Sequence, residues 1–208
     1  MARLAQPGAF YEVEVIGGDE AIGRIRNALD LIEEKSSFGA AALEKLEKRG
    51  DVIIVYDPSF PHGVASAGGT VLAAFVPDLF DGDRSGTNRY PIVVGRYIVK
   101  WTTEGFASTL VHELVHGIQH MEDRIRTMNP HDRECEADLY QESALQDFGA
   151  DKRSEQVVRT RQTLQLYTCV PFRRYMEANT QSKVELWNTL NPDMPQLLSI
   201  FYEYLRAR

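Results

Sequence analysis

Apolar positions first fall into a helical rhythm over residues 20–49: Ile22, Ile25, Leu29 and Ile32 make one stripe, and Leu43 and Leu46 follow a break near Ser36 to Gly39. Gly50 then supplies a stop. Residues 51–56 (DVIIVY) are rich in β-branched side chains and bounded by Asp57-Pro58, which predicts a short buried strand. The stretch 58–69 reads as a loop, since proline and glycine interrupt any regular pattern. Two further strands are expected over 70–76 and 92–99, separated by the turn-forming run FDGDRSGTNRY. Together they suggest a hairpin that leads directly into a helix capped by Thr102 or Thr103. Asn129-Pro130 resembles an N-cap followed by proline at the first helical position, opening a helix that Gly149 is suited to close. Helical signals then continue over about residues 154–167, after Pro171, and from Pro195 onward, where Leu197, Leu198, Phe201, Tyr202 and Leu205 recur.

This order of elements predicts an α+β fold with a small, mainly antiparallel sheet followed by most of the helices. One domain is expected over residues 1–208, with residues 150–208 as a helical C-terminal extension packed on it. Composition adds mainly exclusions. The net charge of -7 opposes binding to a phosphate backbone, so nucleic acid is not an expected partner. The N-terminus lacks the apolar core of a signal peptide and no run approaches membrane-spanning length, so a cytoplasmic protein without membrane association is expected. Cys135 and Cys169 are too few for a disulfide framework, and they are expected as reduced thiols.

The chemistry concentrates in His112-Glu113-Leu114-Val115-His116. With His112 at zero on an ideal helix, His116 falls at about 40°, His120 at about 80° and Glu113 at about 100°. Leu110, Val111, Leu114, Val115 and Ile118 take the opposite side, so an apolar face for the core is separated from a polar face for chemistry. Two imidazoles one turn apart can converge on one zinc ion. Glu113 is angled beside them, within reach of a water on the ion, where its carboxylate can act as general base. Such a site needs a third protein ligand and an open fourth position. Glu134 and Asp138 in ECEAD lie one helical turn apart on a shared face, so one can coordinate while the other hydrogen-bonds a ligand histidine. Glu136 points about 200° away from Glu134 and is the weaker ligand candidate.

The run LVHELVHGIQH followed by ECEAD resembles the zincin metallopeptidases of the gluzincin group, over about residues 90–149. The resemblance implies His112, His116 and Glu134 as zinc ligands, Glu113 as catalytic base, and Asp138 as the carboxylate that supports a ligand histidine. It also implies a strand edge that aligns a peptide or protein substrate, here expected around residues 92–99. The implied activity is hydrolysis of peptide bonds by a zinc-activated water. Two other readings compete: a catalytically silent zincin-fold module that binds or regulates, and a zinc hydrolase acting on a non-peptide amide or ester. The intact Glu113 weighs against the silent module, because a purely structural site needs no general base.

Several other residues carry smaller expectations. His120 belongs to the rim or to substrate contact, since three positions on one straight helix cannot easily meet at one ion. His120, His131, Tyr140 and Tyr167 are all candidates to stabilise the oxyanion. Asp78, Asp81 and Asp83 read as an ordinary turn, and His62 as a surface histidine. Cys169 reads as a small buried side chain. The arginines and lysine around Lys152 to Arg174 read as a solvated face.

Overall fold

A computed structural model describes residues 13–60, 71–80, 88–179 and 189–208. The sheet has the order β1-β2-β4-β3, built from Glu14–Ile16, Gly50–Asp57, Asn88–Gly95 and Ala73–Phe75 respectively. β1 runs parallel to β2 and β2 parallel to β4; only β3 is antiparallel to its neighbour. The fold is thus mixed α/β, and the mainly antiparallel sheet expected from the sequence is corrected. Two helices, α1 (Asp19–Lys35) and α2 (Ser37–Glu47), intervene between β1 and β2, and such a crossover permits parallel pairing. The hairpin expectation holds for β3 and β4, but β4 ends at Gly95 and residues 98–100 form a single 3-10 turn. β1 escaped the sequence reading because three residues offer too short a pattern.

The caps follow the local chemistry. Ser36 breaks the first helical stretch by accepting a hydrogen bond from the Gly39 N–H, so it closes α1 and opens α2. Thr102 caps α3 (Thr103–Met121) through the Gly105 N–H. After a short turn of helix, α4 (Arg124–Thr127), Asn129 caps α5 (Pro130–Asp147) with Pro130 at its first position. Gly149 follows with φ +70, the left-handed conformation that favours glycine.

One hydrophobic core joins Ile25, Leu29 and Ile32 of α1, Leu43 and Leu46 of α2, Val52 and Ile54 of β2, Ile92 and Val94 of β4, and Phe106, Leu110, Val111 and Leu114 of α3. α2 approaches α3 closely at Gly39, where a Cβ would lie 2.6 Å from Ile32 Cγ2 and 3.1 Å from Val111 Cγ2. A second core lies on the far side of α5. Cys135 and Leu139 meet Leu164, Cys169, Phe172 and Met176, together with Met194, Leu197, Ile200, Phe201 and Tyr204. Beyond α5 these come from a π-helical turn over Leu164–Thr168 that follows α6 (Glu155–Thr163), from Cys169 just after it, and from α7 (Val170–Asn179) and α8 (Met194–Arg206).

α5 is therefore enclosed between two cores, and its polar residues Asp132, Glu136, Asp138, Gln141 and Glu142 are buried. Asp132 accepts from Tyr204 and Arg208, and Glu142 pairs with Arg161 at 3.0 Å. Cys135 and Cys169 form a disulfide with Cα atoms 4.7 Å apart, so the expected reduced thiols are corrected. Sequence spacing could not show this pairing, because the two residues are 34 positions apart and meet only when α7 docks on α5.

Candidate metal centre

α3 and α5 pack against each other, and this contact brings the motif to its third partner. Of the potential metal-ligating groups among the described residues, His112, His116 and Glu134 form the one cluster of three. The Nε2 atoms of His112 and His116 are 3.1 Å apart, and each lies 3.5 Å from Glu134 Oε2. Two donors bound to one zinc ion at about 2.0–2.1 Å in tetrahedral geometry are separated by roughly 3.3–3.4 Å. The three observed separations bracket that value, so the donors are spaced as three ligands of one such ion would be. The residues fit zinc in donor type as well as spacing. The Glu134 side chain is 44% exposed, so the cluster lies at the protein surface on that side.

Each imidazole is held from behind. His112 Nδ1 lies 3.2 Å from Asp138 Oδ1, an ion-pair distance with imperfect hydrogen-bond alignment, and this buried nitrogen has no better partner. His116 Nδ1 sits 2.8 Å from Gln119 Oε1, while Gln119 Nε2 donates to Glu136 Oε2 at 2.8 Å and to the Arg133 carbonyl at 3.1 Å. With Nδ1 protonated on both rings, both Nε2 lone pairs face the cluster.

Electrostatics agree with a cation site. Burial disfavours a charge on His112, yet Asp138 and Glu134 outweigh it and hold its pKa well above the ordinary imidazole value. For His116 burial is likewise overcome by Glu134, and its pKa is raised. Burial would raise Glu134, but the two imidazoles drive it far below the usual carboxylate range. The three atoms together call for positive charge between them, which protons or a metal ion can supply.

Glu113 is buried beside this cluster, and its Oε2 accepts a 2.7 Å hydrogen bond from the Phe75 N–H of β3. The β3–β4 ladder uses Val76 N–H and the Leu72 carbonyl, so Ala73 and Phe75 turn their backbone groups away from β4. The sheet edge nearest the centre is therefore β3. The edge expected around residues 92–99 is corrected, because Ile92 to Gly95 are paired on both sides between β2 and β3.

The remaining candidates separate. His120 is exposed, its ring 5.5 Å from that of Phe75, and it stands outside the cluster. His131 is exposed at the start of α5. Tyr140 faces elsewhere: it stacks on Phe38 and bonds the Tyr202 hydroxyl beside a cavity of about 770 Å³ behind α3. Tyr167 is 68% exposed on the π-helical turn. His62, Asp81 and Asp83 lie outside the described residues.

Glu136 is no ligand: it is buried and takes hydrogen bonds from Gln119, Arg124 and Tyr202. Arg159, Arg161 and Arg173 of the basic stretch are paired with Glu155, Glu142 and Glu177. Sequence reasoning missed Gln119 as the partner of His116, and it missed Thr168, whose hydroxyl donates to Asp138 Oδ2. A glutamine three residues after a ligand histidine was the available signal for the first. No local signal existed for the second, which is 30 residues from its acceptor.

Comparison with protein-family models, curated proteins and solved structures gives no match.

Proposed function

We propose that the protein is a zinc-dependent metallopeptidase in which His112, His116 and Glu134 hold the metal and Glu113 is the general base. The observation that carries this reading is the spacing of the three donor atoms, 3.1, 3.5 and 3.5 Å. A zinc ion held there would supply Lewis acidity to a water and to the scissile carbonyl. Glu113 takes the proton of the attacking water and returns it to the leaving amine. The Phe75 amide holds that carboxylate at the edge of β3, where the outward backbone groups of Ala73 can pair with an extended peptide. Among the described residues no helix is long and apolar enough to cross a membrane. The disulfide counts against a reducing cytosol, in which thiols are kept reduced, and it removes support from the cytoplasmic expectation.

The test combines elemental analysis with cleavage of a peptide library by the purified full chain. The parent should carry about one zinc per chain and cleave peptides. Glu113→Gln should keep zinc and lose at least about 100-fold in cleavage rate, whereas His112→Ala and Glu134→Ala should lose the metal. A Glu113→Gln variant as active as the parent would refute the mechanism. A zinc-loaded parent that leaves every peptide intact but hydrolyses an ester would favour the non-peptide reading.

A further inference from the structure

Among the described residues Asp138 is the side chain that meets His112 Nδ1, so whatever fixes Asp138 also fixes that ligand. Its Oδ1 faces the imidazole and its Oδ2 accepts from the Thr168 hydroxyl. Among the described residues, Thr168 and His112 are the two side chains that engage this carboxylate. A carboxylate anchored at one oxygen presents the other in a defined direction. Thr168 ends a π-helical turn that closes with the Cys169 N–H donating to the Leu164 carbonyl. Such widened turns cost regular helix geometry and occur frequently at functional sites.

The turn is also covalently pinned. Cys169 follows Thr168, Cys135 follows Glu134, and the two sulfurs are bonded in a fully buried position. The crosslink thus joins the neighbour of the third ligand to the neighbour of the residue that anchors Asp138. A bond between these two points holds the turn against the stretch of α5 that carries Glu134 and Asp138.

We propose that Thr168 is a positioning residue for the metal ligand His112, kept in register by the Cys135–Cys169 disulfide, so that metal affinity depends on this crosslinked turn. The inference rests on the metal-centre reading above. Its readout is zinc affinity itself, measured on the full chain by competition with a chromophoric chelator, with no dependence on catalysis.

Thr168→Val keeps the shape and removes the donor, and it should weaken zinc binding about 10-fold or more, within the 10- to 100-fold range for partners of ligand histidines. Thr168→Ser retains the hydroxyl and should stay within about threefold of the parent. In an Asp138→Ala background, Thr168→Val should change affinity by less than about threefold, because its acceptor is gone. The Cys135→Ala/Cys169→Ala pair should lose threefold or more while circular dichroism shows the native helical signal.

A purely structural role predicts otherwise: Thr168→Val lowers the Tm of the metal-free protein yet binds zinc like the parent, or its effect adds in full to Asp138→Ala. Either result overturns the proposal. A folded double-cysteine variant with parental affinity removes the disulfide from it. If the parent binds zinc no better than His112→Ala, the metal-centre reading itself fails, and the two failures are distinguishable.

Discussion

Substituting Gln119 separates orientation of a metal ligand from stability of the interior. Gln119 is fully buried; its Oε1 meets His116 Nδ1 at 2.8 Å and its Nε2 donates to Glu136 and to the Arg133 carbonyl. Gln119→Leu fills nearly the same space and removes all three contacts. Losing the imidazole's partner should weaken zinc binding about 10- to 100-fold, or roughly 1.4–2.8 kcal/mol. Glu136 keeps Arg124 and Tyr202, so its loss is one donor to a charged acceptor, about 1.5–3 kcal/mol, with about 1 kcal/mol more for the carbonyl. At about 2–4 °C per kcal/mol for a chain of this size, the metal-free Tm should drop by several degrees.

Gln119→Glu behaves differently. It preserves an acceptor for His116 but sets a second carboxylate against Glu136, where the amide donor stood at 2.8 Å. Two buried like charges at that distance repel, so one must be protonated or displaced. The metal-free protein should then melt at least as low as Gln119→Leu, while zinc affinity should stay closer to the parent. Chelator competition and calorimetry in the presence of EDTA read the two effects independently. Parental zinc affinity in Gln119→Leu would refute the assignment of Gln119 as the group that orients His116.

Two further outcomes follow from the same geometry. Zinc must displace protons from imidazoles whose pKa values are raised, so affinity should level off at high pH and fall on acidification, beginning above the ordinary value of about 6.5. In the metal-free protein the raised imidazoles contribute stability that is fully present below about 6.5 and lost as pH rises through their folded pKa values, which a Tm series with EDTA would show; a Tm that rises across that window contradicts the assignment. Gly39→Val would force carbon into the 2.6 Å gap to Ile32 Cγ2 of α1 and the 3.1 Å gap to Val111 Cγ2 of α3, and overpacking there should cost about 1–3 kcal/mol; an unchanged Tm would show that α2 can shift freely from both helices.

Much of the site was legible because helix geometry is local. The spacing of His112, Glu113 and His116 places their side chains on one face wherever the helix sits, and Glu134 and Asp138 share a face for the same reason. The break near Ser36 and the caps at Thr102 and Asn129 were similarly readable, since each side chain meets an amide within three residues. The resemblance to the gluzincins supplied the division of roles between Glu134 and Asp138, which spacing alone left open.

Strand order, the Cys135–Cys169 bond and the Thr168 partner of Asp138 were not legible in this way. Chain direction within a sheet depends on which strands become neighbours after α1 and α2 cross between them. The burial of Asp132, Gln141 and Glu142 depends on both cores enclosing α5, which no local pattern specifies. Periodicity therefore determined the motif helix, its ligand pair and the acidic pair that follows. Tertiary packing alone decided that β3 is the edge beside Glu113, and that Thr168 stands behind Asp138. The reason is physical: contacts within one helical turn are set by bond geometry, whereas contacts 30 or more residues apart exist only after burial has paid their chain entropy.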